Sequence, residues 1–274
     1  MKKTDKMILG IFSSFLAIGC IALAAGITMG AKPHEFLSIQ LGKGEITLLG
    51  FEQLFELGKS IEEVEDLENE RRFSAKDIEE LKINVNSGIV EVSSTSGEEI
   101  ICYSNRSDSF YRHKGNSLIL EDERELINVP IKLKLYLPEK IWEEVEMELG
   151  ACSVYLEEMK VRKMSLELGT GQLEADRLET EKSMDIQLGA GLIEVKGCLA
   201  KKLELECGMG SMDISMEGAR EDYNYKLECG MGNLQIGADS FSGLGGERKV
   251  DNGADRQLNA ECGMGNLQIS FTQE

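Results

Sequence analysis

LELECGMGSMDISME (203–217) is the stretch whose reading decides the fold. Apolar and polar side chains alternate on both sides of Gly208 and Gly210, the pattern of two half-buried strands meeting at a glycine corner. Nearly the same phrase recurs as VEMELGACSVYLEEM (145–159), MSLELGTGQLEADRL (164–178), MDIQLGAGLIEVKGC (184–198), YKLECGMGNLQIGA (225–238) and LNAECGMGNLQISF (258–271). The first glycines are Gly150, Gly169, Gly189, Gly208, Gly230 and Gly263, giving steps of 19, 20, 19, 22 and 33 residues. A period near twenty with alternating strands predicts a β-solenoid, in which each coil buries its apolar edge only by stacking on its neighbours. The fold class is therefore all-β. The repeat identifies an architecture and leaves the chemistry open.

Aligned on the corner, the copies define three apolar columns. Just before the glycine stand Leu149, Leu168, Leu188, Cys207, Cys229 and Cys262. Four positions after it come Val154, Leu173, Ile193, Met212, Leu234 and Leu267, then Leu156, Ala175, Val195, Ile214, Ile236 and Ile269. Side chains alternate faces along a strand, so these columns point inward. The last step contains FSGLGGERKVDNGADRQ (241–257), read as a loop or extra arm. Upstream, LKINVNSGIVEVSS (81–94) is a degenerate first copy around Asn86-Ser87-Gly88. SLILEDE (117–123) and IKLKLYLP (131–138) alternate as strands, and the polar stretch 104–116 before them reads as a loop or wide hairpin.

Met7 to Ala31 is apolar and uncharged, long enough at about 1.5 Å per residue to cross a roughly 30 Å hydrocarbon core. Lys2, Lys3 and Lys6 precede it and Lys32 alone follows closely, so the N-terminus is expected in the cytoplasm. A cleaved signal peptide carries a shorter apolar stretch. Ala17-Ile18-Gly19-Cys20 makes a poor lipoprotein box, with alanine where leucine is usual and apolar sequence continuing past the cysteine. The expected organisation is a cytoplasmic 1–6, a transmembrane anchor at 7–31, a juxtamembrane linker at 32–72 and an extracytoplasmic β-solenoid at 73–274. Within the linker, Phe51, Leu54, Phe55, Ile61 and Val64 predict a short amphipathic helix over 51–72, a default cap for the first coil.

Composition agrees with a solenoid and narrows the partners. Aromatics are 6% of 274 residues, so aliphatic ladders must fill the core. The net charge of −19 argues against nucleic acid, whose phosphates need concentrated Lys and Arg. Seven cysteines are an odd number, one lies in the apolar run and three belong to the repeat, so no disulfide framework is expected.

The N-terminal apolar segment, RFSAKDIEELKINVNSGIVEV (72–92), IKLKLYLP, the repeated ELG-x-G units and the closing CGMGNLQISF together resemble the bacterial DUF4097 family of adhesin-like proteins. The resemblance covers roughly residues 72–274. It implies a β-solenoid displayed on a bacterial envelope, and it carries no catalytic motif onto this chain. Fold by itself does not give function.

Two patterns invite chemistry. The three Cys-Gly-Met-Gly units (207–210, 229–232, 262–265) carry soft ligands suited to Cu(I). Each cysteine replaces an inward leucine, however, and buried cysteine acts as a small hydrophobe. Two residues before each glycine stand Glu148, Glu167, Gln187, Glu206, Glu228 and Glu261, a ladder of like charges that calcium or plain solvation could relieve. Solvation is the cheaper relief. The only histidines are His34 and His113, and no nucleophile–base pair, zinc spacing or nucleotide fingerprint is present.

The expectation is thus a non-enzymatic, membrane-anchored cell-surface protein. It has no catalytic, cofactor-binding or metal residues and no cofactor, and its role is adhesin-like binding or envelope sensing. Its partner is an unidentified envelope or surface component, such as another membrane protein. An accessory of an envelope-stress signalling system is the alternative, and a surface-glycan-acting enzyme the third reading.

Overall fold

Glycine sits on glycine along one edge of the protein, and that column orders the rest. In the computed structural model, which describes residues 38–41, 44–47, 69–106, 108–121, 130–242 and 246–273, a Cβ added to Gly169 would stand 3.0 Å from the Gly150 carbonyl oxygen. The same contact is 2.4 Å for Gly189 on Gly169, 2.6 Å for Gly208 on Gly189, 3.0 Å for Gly263 on Gly208 and 2.8 Å for Gly230 on Gly263. Backbone passes backbone there too closely for side chains.

The chain divides into two units, Met1–Glu56 and Leu57–Glu274. In the first, β1 (Ser38–Leu41) and β2 (Gly44–Thr47) pair as an antiparallel hairpin. The second holds the solenoid, beginning with β3 (Asn69–Ser74), β4 (Glu80–Thr95) and β5 (Glu99–Ser104). β6 (Tyr111–Lys114), β7 (Ser117–Glu121) and β8 (Ile131–Pro138) follow. β9 (Ile141–Cys207) is one continuous strand wound through several coils, and β10 (Ser211–Ala219) completes the last of them. Then come β11 (Tyr223–Cys229), β12 (Asn233–Ile236), β13 (Asp239–Ser242), β14 (Gly246–Val250), β15 (Arg256–Cys262) and β16 (Asn266–Gln273).

Each rung is a strand before the corner and a strand after it, and rungs pair in parallel. All three columns read from the repeat are buried, from Leu149 and Val154 through to Cys262 and Ile269. The connectors add Met159, Val161, Leu178, Cys198 and Ala200 to the same core. Burying each larger aliphatic side chain contributes about 1.5–3 kcal/mol, which is how a core with few aromatics holds together.

Stack order differs from sequence order at both ends. β4 is sandwiched: β7 and β8 lie on one side (Leu81↔Leu118, Val90↔Leu133) and β9 on the other (Leu81↔Val145, Val90↔Val154). At the far end β15 pairs with both β9 (Ala260↔Leu205) and β11 (Ala260↔Leu227), while β16 pairs with both β10 and β12. The sixth copy of the repeat is therefore inserted between the fourth and the fifth. The 33-residue step is the detour this requires.

Antiparallel arms cover the rungs left outermost. At the first end β5 pairs with β8, β3 with β5, and β6 with β7; at the last end β13 pairs with β12 and β14 with β11. Such arms occupy the unpaired N–H and C=O groups of a sheet edge. The segment 241–257 thus contains edge-covering strand as well as loop. The polar stretch 104–116 holds a short turn at Asp108–Phe110 and the first half of the β6–β7 hairpin.

One boundary needs correction. Residues 69–72, expected to end the linker helix, are strand, because Asn69–Ser74 completes its backbone hydrogen bonds against β5 (Asn69↔Ser104). The remainder of that helix and the apolar run 7–31 lie outside the described residues.

Candidate functional site

The outer face of the pre-corner strands carries the acidic ladder, and stacking makes it longer than the repeat alone implies. Register places Glu121 beside Asn84 and Asn84 beside Glu148. The column continues through Glu167, Gln187 and Glu206 in the order of the glycine stack. Glu206 then faces Glu261, Glu261 faces Glu228, and Glu228 faces Glu247. Rungs lie about 4.8 Å apart, so the wall is a row of carboxylates broken only by Asn84 and Gln187.

Positive charge reaches mainly the two ends of this face. Asn84 Nδ2 donates to Glu148 at 3.0 Å, and Lys82 pairs with Glu146 in the next column. Lys226 binds Glu228 and lies 3.7 Å from Glu247. Lys202 pairs with Glu204 at 2.8 Å, one column inward. In the middle, burial pushes the Glu206 carboxyl above the usual range, and Asp185, Glu261, Glu204 and Glu167 push it the same way. Burial is also the leading cause at Glu148 and Asp185, where Gln187 Nε2 partly offsets it by donating to Asp185 at 3.1 Å. A shallow cavity of about 200 Å³ opens here, lined by Glu204, Glu206, Lys226, Glu228, Asn259 and Glu261.

The Cys-Gly-Met-Gly units come together in space, but their sulfurs part company. Cys207, Cys262 and Cys229 stand in register on three successive rungs, all buried. The methionines of the same turns point out, with Met209 and Met264 36% exposed and Met231 65%. Core strands thus hold the thiols inside while the corner throws the thioethers into solvent. Among the described residues, no three of His, Cys, Asp and Glu gather to hold a metal ion. His113 is exposed on β6; His34 and Cys20 lie outside the described residues.

On the other face the post-corner strands carry neutral ladders and local charge pairs. Asn233 donates to Asn266 at 2.9 Å, Ser215 and Ser270 lie 3.0 Å apart, and Gln172 donates to Ser153 at 3.0 Å. Tyr155 donates to Asp176 at 2.6 Å, and Lys196 spans Glu174 and Asp176. Some charges here are locally paired, while Glu194 and Asp213 stand side by side in register as like charges on neighbouring rungs.

The repeat exposed Glu148, Glu167, Gln187, Glu206, Glu228 and Glu261 as a column. It did not expose Glu121, Asn84 or Glu247. Glu247 lies on a short arm whose residues are nearly all exposed, so no alternation marks it.

Comparison with known proteins supplies the family context. The model of a family described as Toastrack DUF4097 matches residues 74–243, more than half of the chain. No curated protein matches it. A candidate cell adhesion protein of Clostridium sporogenes is 15% identical with a TM-score of 0.37, the overlap covering 74% of this chain and 99% of that one. For a candidate adhesin of Bacteroides fragilis the values are 12% and 0.36, over 73% and 96% of the two chains.

Proposed function

From a chain that belongs to the Toastrack DUF4097 family, we propose a cell-surface β-solenoid with an adhesin-like, non-enzymatic binding role, tethered to the membrane by residues 7–31. The observation that carries this reading is the acidic wall. Its carboxylates are evenly spaced along a rigid sheet, and the central ones face mainly one another. A surface of this kind lowers its own electrostatic cost by taking up basic groups at matching intervals. The partner is accordingly an envelope or surface component that presents cationic groups. Membrane attachment rests on the apolar run and the lysines before it.

Crosslinking from intact cells followed by pull-down tests the wall. A chain with Glu167→Gln, Glu206→Gln, Glu261→Gln and Glu228→Gln should recover at least tenfold less partner than the native chain. An unchanged partner set would overturn the wall as the binding face. Surface placement is tested by protease added to intact, wall-stripped cells, which should remove residues 69–274. Protection of that domain while an external control is digested would overturn the tether and its orientation.

A further inference from the structure

We propose that the slot holding the inserted rung (256–273) also accepts the same rung from a second copy of this chain, giving a rung-exchanged dimer. Several observations converge on this. The rung is held by backbone on both sides, its two strands running parallel and in register with 202–216 on one wall and 223–236 on the other. The walls read main-chain geometry and a repeated side-chain set, and they meet the same atoms whichever copy supplies them. ECGMGNLQI occurs at both 228–236 and 261–269. The inserted rung and the rung outside it are therefore interchangeable across the corner.

Gly208 to Gly230 is 22 residues and steps over the inserted rung, whereas the earlier steps of 19 and 20 residues each join directly stacked coils, so both walls of the slot belong to one connected stretch that the departing rung does not carry away. The family match ends at residue 243, before the inserted rung begins. The link at 251–255 is mostly exposed, and its polar contacts run to Asn224 and to the Tyr223 carbonyl. It is the hinge through which the rung departs. A released rung carries two unpaired parallel edges, whose complement is the slot of another copy.

The stacked thiols supply the test. Cys262 pairs in register with Cys207, a separation compatible with a disulfide once the side chains adjust. Full chains carrying Cys207→Ser are mixed with full chains carrying Cys262→Ser, refolded together and treated with diamide. Diamide takes the two electrons and two protons released when two thiols form a disulfide. Exchange yields a covalent dimer whose linked peptides contain Cys207 from one chain and Cys262 from the other. The unsubstituted chain is the control. If it forms its internal Cys207–Cys262 bond while the mixture gives no such dimer, the proposal is overturned.

A second measurement needs no thiol chemistry. Two differently tagged full chains, refolded together, should co-purify. The pair should lose that association when both carry Leu267→Asp and Ile269→Asp, which bar the rung from either slot. Absence of co-purification, or its persistence in the substituted pair, overturns the exchange.

Discussion

The sulfur of Cys207 lies where a Cβ on Gly265 would come within 2.8 Å of it. One rung further out, a Cβ on Gly232 would be 2.9 Å from the Cys262 sulfur; one rung earlier, Gly210 meets Leu188 Cδ2 at 2.7 Å. The second glycine of these three corners is thus the seat for the last apolar side chain of the neighbouring rung. At these three positions it is close approach, rather than a left-handed backbone, that demands glycine.

Gly265→Ala should be costly. Its Cβ would also stand 2.3 Å from the Gly210 carbonyl oxygen, which is backbone and cannot move alone. Overpacking of this kind costs about 1–3 kcal/mol and sometimes more. Gly246→Ala is the control, since nothing lies within 4 Å of a Cβ there, and it should stay within about 0.5 kcal/mol. Urea unfolding of both variants decides the matter, and equal midpoints would remove close packing as the reason for the motif.

Leu188 and Gln187 are neighbours in sequence with opposite fates. Leu188 is 3% exposed inside the column, so Leu188→Asp buries an unpaired carboxylate at a cost of several kcal/mol and should leave little folded protein. Gln187→Glu instead fills a break in the acidic wall, between Glu167 and Glu206. It should lower the melting temperature at low ionic strength and recover much of the loss near 1 M salt, where the screening length is about 3 Å. Equal tolerance of the two changes would mean the strand faces are assigned the wrong way round.

Such contrasts show what was legible in the residues themselves. The eighteen column positions from Leu149 to Ile269 follow from period-two alternation, because a residue's face depends only on its own strand. Stack order depends on which strand finds which, and Cys262 could pair with Cys229 from either side without changing a single local preference. Identical nonapeptides therefore hide the insertion. The acidic column was legible up to its ends, where Glu121 and Glu247 join through β7 and an edge-covering arm that carry no repeat.

Acidity should stabilise the domain before it destabilises it. Glu148, Asp185 and Glu206 bind protons more tightly when folded than their ordinary values of 4.5, 3.8 and 4.5, with burial the first cause. The folded state then holds more protons than the unfolded one, and stability rises as pH falls through their folded values. Asp176 shifts the other way because Tyr155 and Lys196 donate to it, so its contribution is kept above 3.8 and lost at lower pH. The melting temperature is expected to climb as the pH falls from neutrality to about 4.5, the ordinary glutamate value, and to turn over below about 4. A steady decline across the whole range would contradict the assignment of the wall as self-repelling.

The thiols should differ in reactivity according to their depth in the stack. Burial pushes Cys102, Cys152 and Cys198 up to about 12, so at pH 8.5 each stays overwhelmingly in the unreactive thiol form. Cys207 moves the opposite way, its ionised form favoured first by the Cys262 thiol beside it on the next rung. Position acts in the same direction for two of them: Cys152 and Cys198 lie within β9, deeper in the stack, while Cys102 lies on the covering arm β5, whereas Cys207 faces the inserted rung and opens when that rung does. Iodoacetamide applied to the folded protein, with labelled peptides followed by mass spectrometry, should therefore mark Cys207 well before Cys102, Cys152 or Cys198. Unfolding in urea should erase the difference. Labelling of Cys198 in the folded protein as fast as Cys207 would show that neither burial nor the Cys207–Cys262 contact governs access to these thiols.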